Sequence, residues 1–457
     1  MDSKKTKAVA VIAAVAMIIA AVGIYAVMSS GGGSPEGSRV GTQLSASELP
    51  DADSRLWVYG NANEDDRIDD SDIAYLNGIV SGSVEATELA DANCDGRVDQ
   101  KDLEHLEKMI SSEDMRVYYV DNYDTVASVS WPVESIAIGY CSGAYCADLI
   151  GVADKVTMVD NTIADYWTAL NTNFAEASSY GGTGEPDYEA MMLKGIDVYV
   201  VGYCVAGTDE ESLSKLNPAG IDVMFLTTCD NSGIDRPNEN IDRTIITMAY
   251  LLQGDMIKTY DYLAWHDSII VTLASAVAGT EQDSAYLMGR SSPTDLNADI
   301  SITGYNNTNN LHAEWVGVYS IGMHEAGLSK NYQTISMESI MTYFEQYQNS
   351  GYEVFYMDNC HAGLRQQYDL QANMALDAQR FAGMADPPTI LGMAREAGNS
   401  PLYVIELAFM QNVMYPELTL VTGVDYAELF EYYFENFASE DYYDLLDLDQ
   451  FFSVYVA

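Results

Sequence analysis

The stretch MIKTYDYLAWHDSIIVTLASAVA, residues Met256–Ala278, decides the architecture. It runs between Gly254 and Gly279 without a proline or an internal glycine. Tyr260, Leu263, Ile270, Leu273 and Val277 recur near one face, so the stretch predicts a single long helix. Upstream, Val- and Ile-rich runs at Val126–Val129, Val156–Val159, Val198–Val201 and Val223–Leu226 alternate with helical stretches. Downstream the alternation resumes at Ala285–Met288, Val316–Ile321 and Val354–Met357. Short apolar runs between helices imply parallel strands. The expected fold is α/β, two lobes joined by one long helix, with the first lobe over about 116–252, the linking helix over about 255–278 and the second lobe over about 280–457. The tyrosine-rich acidic tail from Asp425 is expected to pack as helices on the second lobe.

The 457 residues are 48% hydrophobic, which supports a large core and excludes wholesale disorder. Lys and Arg number 21 against 69 Asp and Glu, for a net charge of −48. So negative a surface repels phosphate backbones, and no nucleic-acid partner is expected. Six cysteines are too few for a disulfide-stapled scaffold, and none has zinc-finger spacing. Cys204 with Cys229, and Cys141 with Cys146, are candidate disulfides, with buried thiols as the alternative. Enzyme motifs fail: Gly181-Gly-Thr-Gly184 is no dinucleotide fingerprint, His324-Glu325 is followed by Leu328 where a zinc protease needs His, and no G-x-S-x-G elbow occurs.

Lys4, Lys5 and Lys7 precede an uncharged run, Ala8–Met28. At 1.5 Å per residue that run spans about 30 Å, one crossing of a bilayer core. The lysines predict a cytoplasmic tip, so residues 1–28 read as a cell-membrane anchor with the bulk of the chain extracellular. A cleaved signal peptide is the alternative. Residues 29–54, rich in Gly, Ser and Pro, read as a flexible linker.

Residues 55–114 contain a repeat. Asn61-Ala-Asn63-Glu-Asp65-Asp-Arg67-Ile-Asp69-Asp-Ser-Asp72 matches Asp91-Ala-Asn93-Cys-Asp95-Gly-Arg97-Val-Asp99-Gln-Lys-Asp102. Side-chain oxygens fall at loop positions 1, 3, 5, 9 and 12, and Arg67 and Arg97 at position 7 would offer backbone carbonyls: the calcium-loop spacing. Ile68 and Val98 are expected to pair the loops, and each loop leads into a helix, which makes a small all-α module. Asp66 replaces Gly96 and Asn61 replaces Asp91, so the first site is expected to bind Ca2+ more weakly.

Asp rather than Glu at position 12, in tandem copies, resembles a type I dockerin over about Leu56–Ser112. The resemblance implies a cohesin-like partner, and a purely structural calcium module is the alternative.

A second resemblance covers about Asp121 to the C-terminus. Thr125-Val-Ala-Ser-Val-Ser130-Trp131-Pro132, Leu149-Ile-Gly151-Val-Ala-Asp154-Lys155-Val156, Pro186-Asp187-Tyr188-Glu189 through Ile196-Asp-Val-Tyr-Val200, and Ile335-Ser-Met-Glu338-Ser-Ile340 occur in that order. Together they resemble the substrate-binding proteins of ABC importers for ferric siderophores, haem and cobalamin, the class III periplasmic binding proteins. The second-lobe copy departs by having Gly351-Tyr352-Glu353 where Pro-Asp is usual. The resemblance implies two Rossmann-like lobes, an iron chelate or corrinoid held between them, a permease and an ATPase as partners, and no catalysis. It matches Glu189 and Glu338 to the acidic residue of each lobe that meets permease arginines, a role suited to fixing register. It matches Tyr332 to an aromatic ligand contact of the cobalamin binders.

Ligands of open α/β sheets sit outside the carboxyl ends of strands. That rule points to Trp131, Tyr203, Arg290, Asn359 and His361, with His361 the candidate for a direct metal ligand. Flat aromatics suit a macrocycle, and Arg290 suits an anionic chelate. The alternative function is a cell-surface assembly protein that docks through its calcium module.

Overall fold

Asp255 caps the linking helix in the computed structural model of the chain, its carboxylate accepting from Lys258 N at 3.0 Å, and the helix runs Met256–Val277 as expected. The structure describes residues 54–166, 172–182, 184–202, 208–228, 241–278, 283–291, 294–305, 307–360, 362–363, 368–439 and 447–455. The anchor over 1–28, most of the linker, Tyr203, His361, Cys204 and Cys229 lie outside the described residues. Among the described residues no helix is long and apolar enough to cross a membrane.

The first lobe opens with an antiparallel hairpin of β1 (Met115–Val120) and β2 (Val126–Trp131). Its turn is set by Asp121, whose Oδ1 accepts from Tyr123 N at 2.8 Å and Thr125 N at 3.0 Å. This corrects the reading of Val126–Val129 as a strand of the parallel sheet, because that hairpin stands outside it. The sheet is built from β3 (Ile136–Ile138), β4 (Val156–Val159) and β5 (Ser178–Ser179), then, after a small hairpin of β6 (Gly181–Gly182) and β7 (Glu185–Pro186), β8 (Val198–Val200) and β9 (Asp222–Met224). The order is β5-β4-β3-β8-β9, all parallel. β3, the central strand, is buried throughout.

The second lobe carries β10 (Ser284–Arg290), β11 (Ile300–Thr303), β12 (Tyr319–Ser320), β13 (Tyr332–Ile335), β14 (Glu353–Cys360), β15 (Thr389–Ala394) and β16 (Phe452–Val454). Their order is β13-β11-β10-β14-β15-β16, with β12 beside β10. β10, β14 and β15 are parallel, but β11, β13 and β16 run against their neighbours. The runs expected as parallel strands here, Ala285–Met288, Val316–Ile321 and Val354–Met357, supply β10, β12 and β14, which are parallel, and the antiparallel strands lie outside them. The connection from β10 to β11 is too short for a crossover, so the chain turns back on itself. The tail forms a helix, Tyr426–Asn436, and lays Phe437 against the linking helix, 5.5 Å from Tyr262 and 5.3 Å from Trp265 between ring centroids.

The carboxylate-loop segment supplies two helices, Asp70–Val80 and Gln100–Ile110, around a small core of Leu76, Leu103 and Leu106 against which Ile68 and Val98 pack. It is built into the first lobe. Val58 forms a β-bridge with Tyr119, Tyr59 N donates to Tyr118 O at 2.9 Å, and Val120 N donates to Trp57 O at 3.1 Å. Leu56, Val58 and Met109 belong to the same buried cluster as the lobes. Cys141 and Cys146 share the helix Tyr140–Leu149 and are buried as thiols, with no disulfide between them.

Candidate ligand-binding site

The carboxyl ends of β10, β14 and β15 lie side by side, and a shallow pocket with a cavity volume of about 10 Å³ opens against them. Arg290 ends β10 and Arg395 directly follows β15. Thr303, the last residue of β11, is paired with Tyr332, the first of β13, so the antiparallel edge brings both to the same wall. Asn359 of β14 lines the floor; its Nδ2 meets Met288 Sδ at 3.2 Å, and its Oδ1 is buried with no donor. Arg290 is exposed and in no ion pair among the described residues. The pocket is therefore lined by two arginines, an asparagine with an open acceptor and a tyrosine.

Behind the Arg290 end of β10, Ser291 Oγ donates to Asp377 Oδ1 at 2.6 Å and to Asp358 Oδ1 at 3.3 Å. Asn373 Nδ2 donates to Asp358 Oδ2 at 3.0 Å, and Arg380 Nη1 to Asp377 Oδ1 at 2.6 Å. Burial and the neighbouring Asp377 push the Asp358 carboxyl well above the usual range.

The structure brings Arg290, Tyr332 and Asn359 to one pocket, and it places Trp131 elsewhere. The Trp131 indole is buried, donates to Leu251 O at 2.7 Å and packs 5.4 Å from Tyr250. It ends the hairpin ahead of β3, at the amino end of the parallel sheet, and Lys155 at the amino end of β4 reaches the same turn at Leu252 O, 2.8 Å away. Trp131 as a ligand contact is corrected: it is a packing residue. Arg395 and Thr303 escaped the sequence reading. So did Tyr140, held at φ +66° directly after β3 and Gly139, a conformation rare for a bulky residue.

The lobes touch behind the pocket. Thr228 Oγ1 donates to Asn399 O at 2.8 Å, and Tyr262 OH of the linking helix donates to Pro401 O at 2.8 Å.

Glu189 and Glu338 occupy matched positions. Each is exposed in the first turn of a helix, one starting at Tyr188 behind the cap Asp187, the other at Met337 behind the cap Ser336. The caps accept from Ala190 N at 2.9 Å and from Ser339 N at 3.2 Å.

The two carboxylate loops share a frame. Asp72 accepts from Asn63 N at 3.1 Å and Asp69 N at 2.9 Å, and Asp102 accepts from Asn93 N at 3.2 Å and Asp99 N at 2.7 Å. In the second loop Asp91 accepts from Asp95 N and Gly96 N at 3.1 and 2.8 Å, and Gly96 turns the chain at φ +84°. In the first, Asp66 avoids that left-handed turn, as an L-residue prefers, and accepts from Arg55 N at 2.8 Å. Asn61 Nδ2 donates to Leu56 O at 2.9 Å and Ser54 Oγ at 3.0 Å, which leaves Asn61 Oδ1 buried with no donor. Burial, with Asp65 and Asp69 adding to it, pushes Asp72 up to about 6. An undonated buried oxygen at position 1, with the carboxylates of Asp65, Asp69 and Asp72 in the same loop, is the donor chemistry of a hard cation such as Ca2+.

No family model matches the chain, and no curated protein matches it. Solved structures do. A Haemophilus influenzae ABC-transporter periplasmic binding protein, MolA bound to molybdate, is 14% identical with a TM-score of 0.54, and the match covers 70% of this chain and 97% of that one. The TroA-like periplasmic binding protein FepB from Veillonella parvula is 12% identical with a TM-score of 0.53, covering 70% and 96%. Helicobacter pylori CeuE with Ni(II) bound is 15% identical with a TM-score of 0.51, covering 73% and 97%. At such identities the likeness is one of fold. The chain has the two-lobed, helix-linked α/β fold of periplasmic binding proteins.

Proposed function

We propose that this chain is the extracytoplasmic substrate-binding protein of an ABC importer, which captures an anionic metal chelate and hands it to a permease driven by its ATPase. The observation that carries the reading is the pocket at Arg290 and Arg395. Two of 21 cationic side chains converge there in a chain of net charge −48. An iron-siderophore, haem or corrinoid bearing carboxylates suits two guanidinium forks, with Tyr332 against its flat face. Glu189 and Glu338 are the docking points, and Leu193, 89% exposed one turn beyond Glu189, adds an apolar contact. The role is capture and delivery, without catalysis. Residues 1–28 hold the chain at the membrane in this reading, and the loops at Asn61–Asp72 and Asp91–Asp102 carry Ca2+.

A thermal-shift screen of the full chain in Ca2+ tests the proposal, with ferric hydroxamates and catecholates, haem, cobalamin and molybdate as ligands. A ligand at 100 times its Kd stabilises the fold by about 2.7 kcal/mol. A shift with one chelate, abolished by Arg290→Ala, is expected. Folded protein that responds to none of them overturns the reading in favour of calcium-dependent docking to a cohesin-like partner.

A further inference from the structure

The first carboxylate loop and the segment leading into it touch the linking helix through two side chains. Arg67, at loop position 7, lays its guanidinium 4.2 Å over the Tyr260 ring of the linking helix. Arg55, on the segment leading into the loop, ties Asp66 at position 6 (2.7 Å) to Asp267 of the same helix (3.0 Å), with Asp242 at 3.8 Å. Tyr260 and Asp267 stand about two turns apart on that helix. Asp242, His266 and Asp267 are close enough to hold a metal, but the Arg55 guanidinium already faces both carboxylates, so the cluster is the receiving half of a clamp. The second loop has no counterpart among the described residues: Asp95 pairs with Lys101 of its own loop at 3.2 Å, and Gly96 carries no side chain to reach across. The residue that departs from the repeat, Asp66 for Gly96, is therefore an interface residue, and its partner is this chain's own linking helix.

We infer that the module works in cis: a divalent cation in the first loop orders residues 61–72, which hold Asp66 and Arg67 against the linking helix, so that cation binding stiffens the joint between the lobes. The inference rests on the reading that the loops hold Ca2+. Its observations are the buried, undonated Asn61 Oδ1 at loop position 1 and the Arg55 and Arg67 contacts. Without a cation, Asp65 and Asp69 repel Asp72, and the loop that carries the clamp loosens. A cation that binds the clamped loop better than the loose one shifts the balance by a factor of 1 + [L]/Kd.

Hydrogen exchange of the full-length chain, with no chelate added, tests this in Ca2+ and in EGTA, with calorimetry counting the sites. At about ten times Kd, Ca2+ is expected to slow exchange over residues 256–267 by about tenfold. Asp65→Ala should remove one calorimetric site and that response. Asp95→Ala should remove the other site and leave the response. Tyr260→Leu with Asp267→Asn should keep both sites and lose the response. If both sites bind Ca2+ and exchange over 256–267 does not change, the brace is wrong. If no Ca2+ binds the first loop, the cation reading itself fails and the inference falls with it.

Discussion

The Tyr145 hydroxyl donates across the lobes to Glu396 Oε1 at 3.2 Å. Tyr145 stands on the helix that follows β3, and Glu396 is the residue after Arg395, so the contact joins the first lobe to the wall of the pocket. Both residues are buried. Tyr145→Phe leaves the ring packed and removes the donor, at a cost of about 1–2 kcal/mol. Urea unfolding should show a lower midpoint with an unchanged m-value.

Arg290→Ala and Arg395→Ala should each weaken binding of an anionic chelate by about 10- to 100-fold, the loss of one charge-assisted hydrogen bond. Lysine at either position should restore only part of that, since it supplies the charge without the fork. Fluorescence titration with the chelate identified by thermal shift measures both.

Glu189→Ala and Glu338→Ala should leave ligand affinity intact and change stability by no more than about 0.5 kcal/mol, because both side chains are exposed and the capping residues remain. ATPase stimulation in proteoliposomes holding the permease should fall with either variant. Full stimulation by the double variant would remove both residues from the docking surface.

Glu406 is buried on the helix Tyr403–Met414 and accepts from Asn309 Nδ2 at 3.0 and 3.2 Å. Burial pushes its carboxyl up to about 8, against the pull of that hydrogen bond. Between pH 4.5 and about 8 the folded chain keeps a proton that the unfolded chain has lost. Its contribution is therefore complete below pH 4.5, falls by about 1.4 kcal/mol per pH unit across that window, and is level above it. Glu406→Gln should remove this slope, read as the difference between the two stability-against-pH curves.

Trp131→Ala should cost about 3–5 kcal/mol, as for a buried aromatic, and leave the Kd for the chelate unchanged in protein that still folds. Circular-dichroism melting and ligand titration of one preparation separate the two effects.

What could be read from the chain beforehand follows from where each signal lies. The linking helix is legible because an uninterrupted run with one apolar face lies between Gly254 and Gly279. The loops are legible because their oxygens recur at fixed spacing. β3 is not, since three residues buried on both faces carry no alternation, whereas Val126–Val129 reads as a strand and joins an edge hairpin instead. Arg395 follows Ile390-Leu-Gly-Met-Ala394 just as Arg290 follows Ala285-Tyr-Leu-Met-Gly289, so the same rule of an apolar run ended by arginine would have found it. Thr303 reaches the pocket only because β11 turns back along β10, and its run is not among those read as strands.

The bridge between Val58 and Tyr119 bears on how the chain can be recombined. A segment that lends Leu56, Val58 and Met109 to its neighbour's interior is not an interchangeable cassette. Cutting at 114 would strip the hairpin of the bridge at Val58 and open a greasy seam along it. Any fusion or transplant that keeps both halves sound has to be spliced upstream of Ser54, and the pair has to travel together.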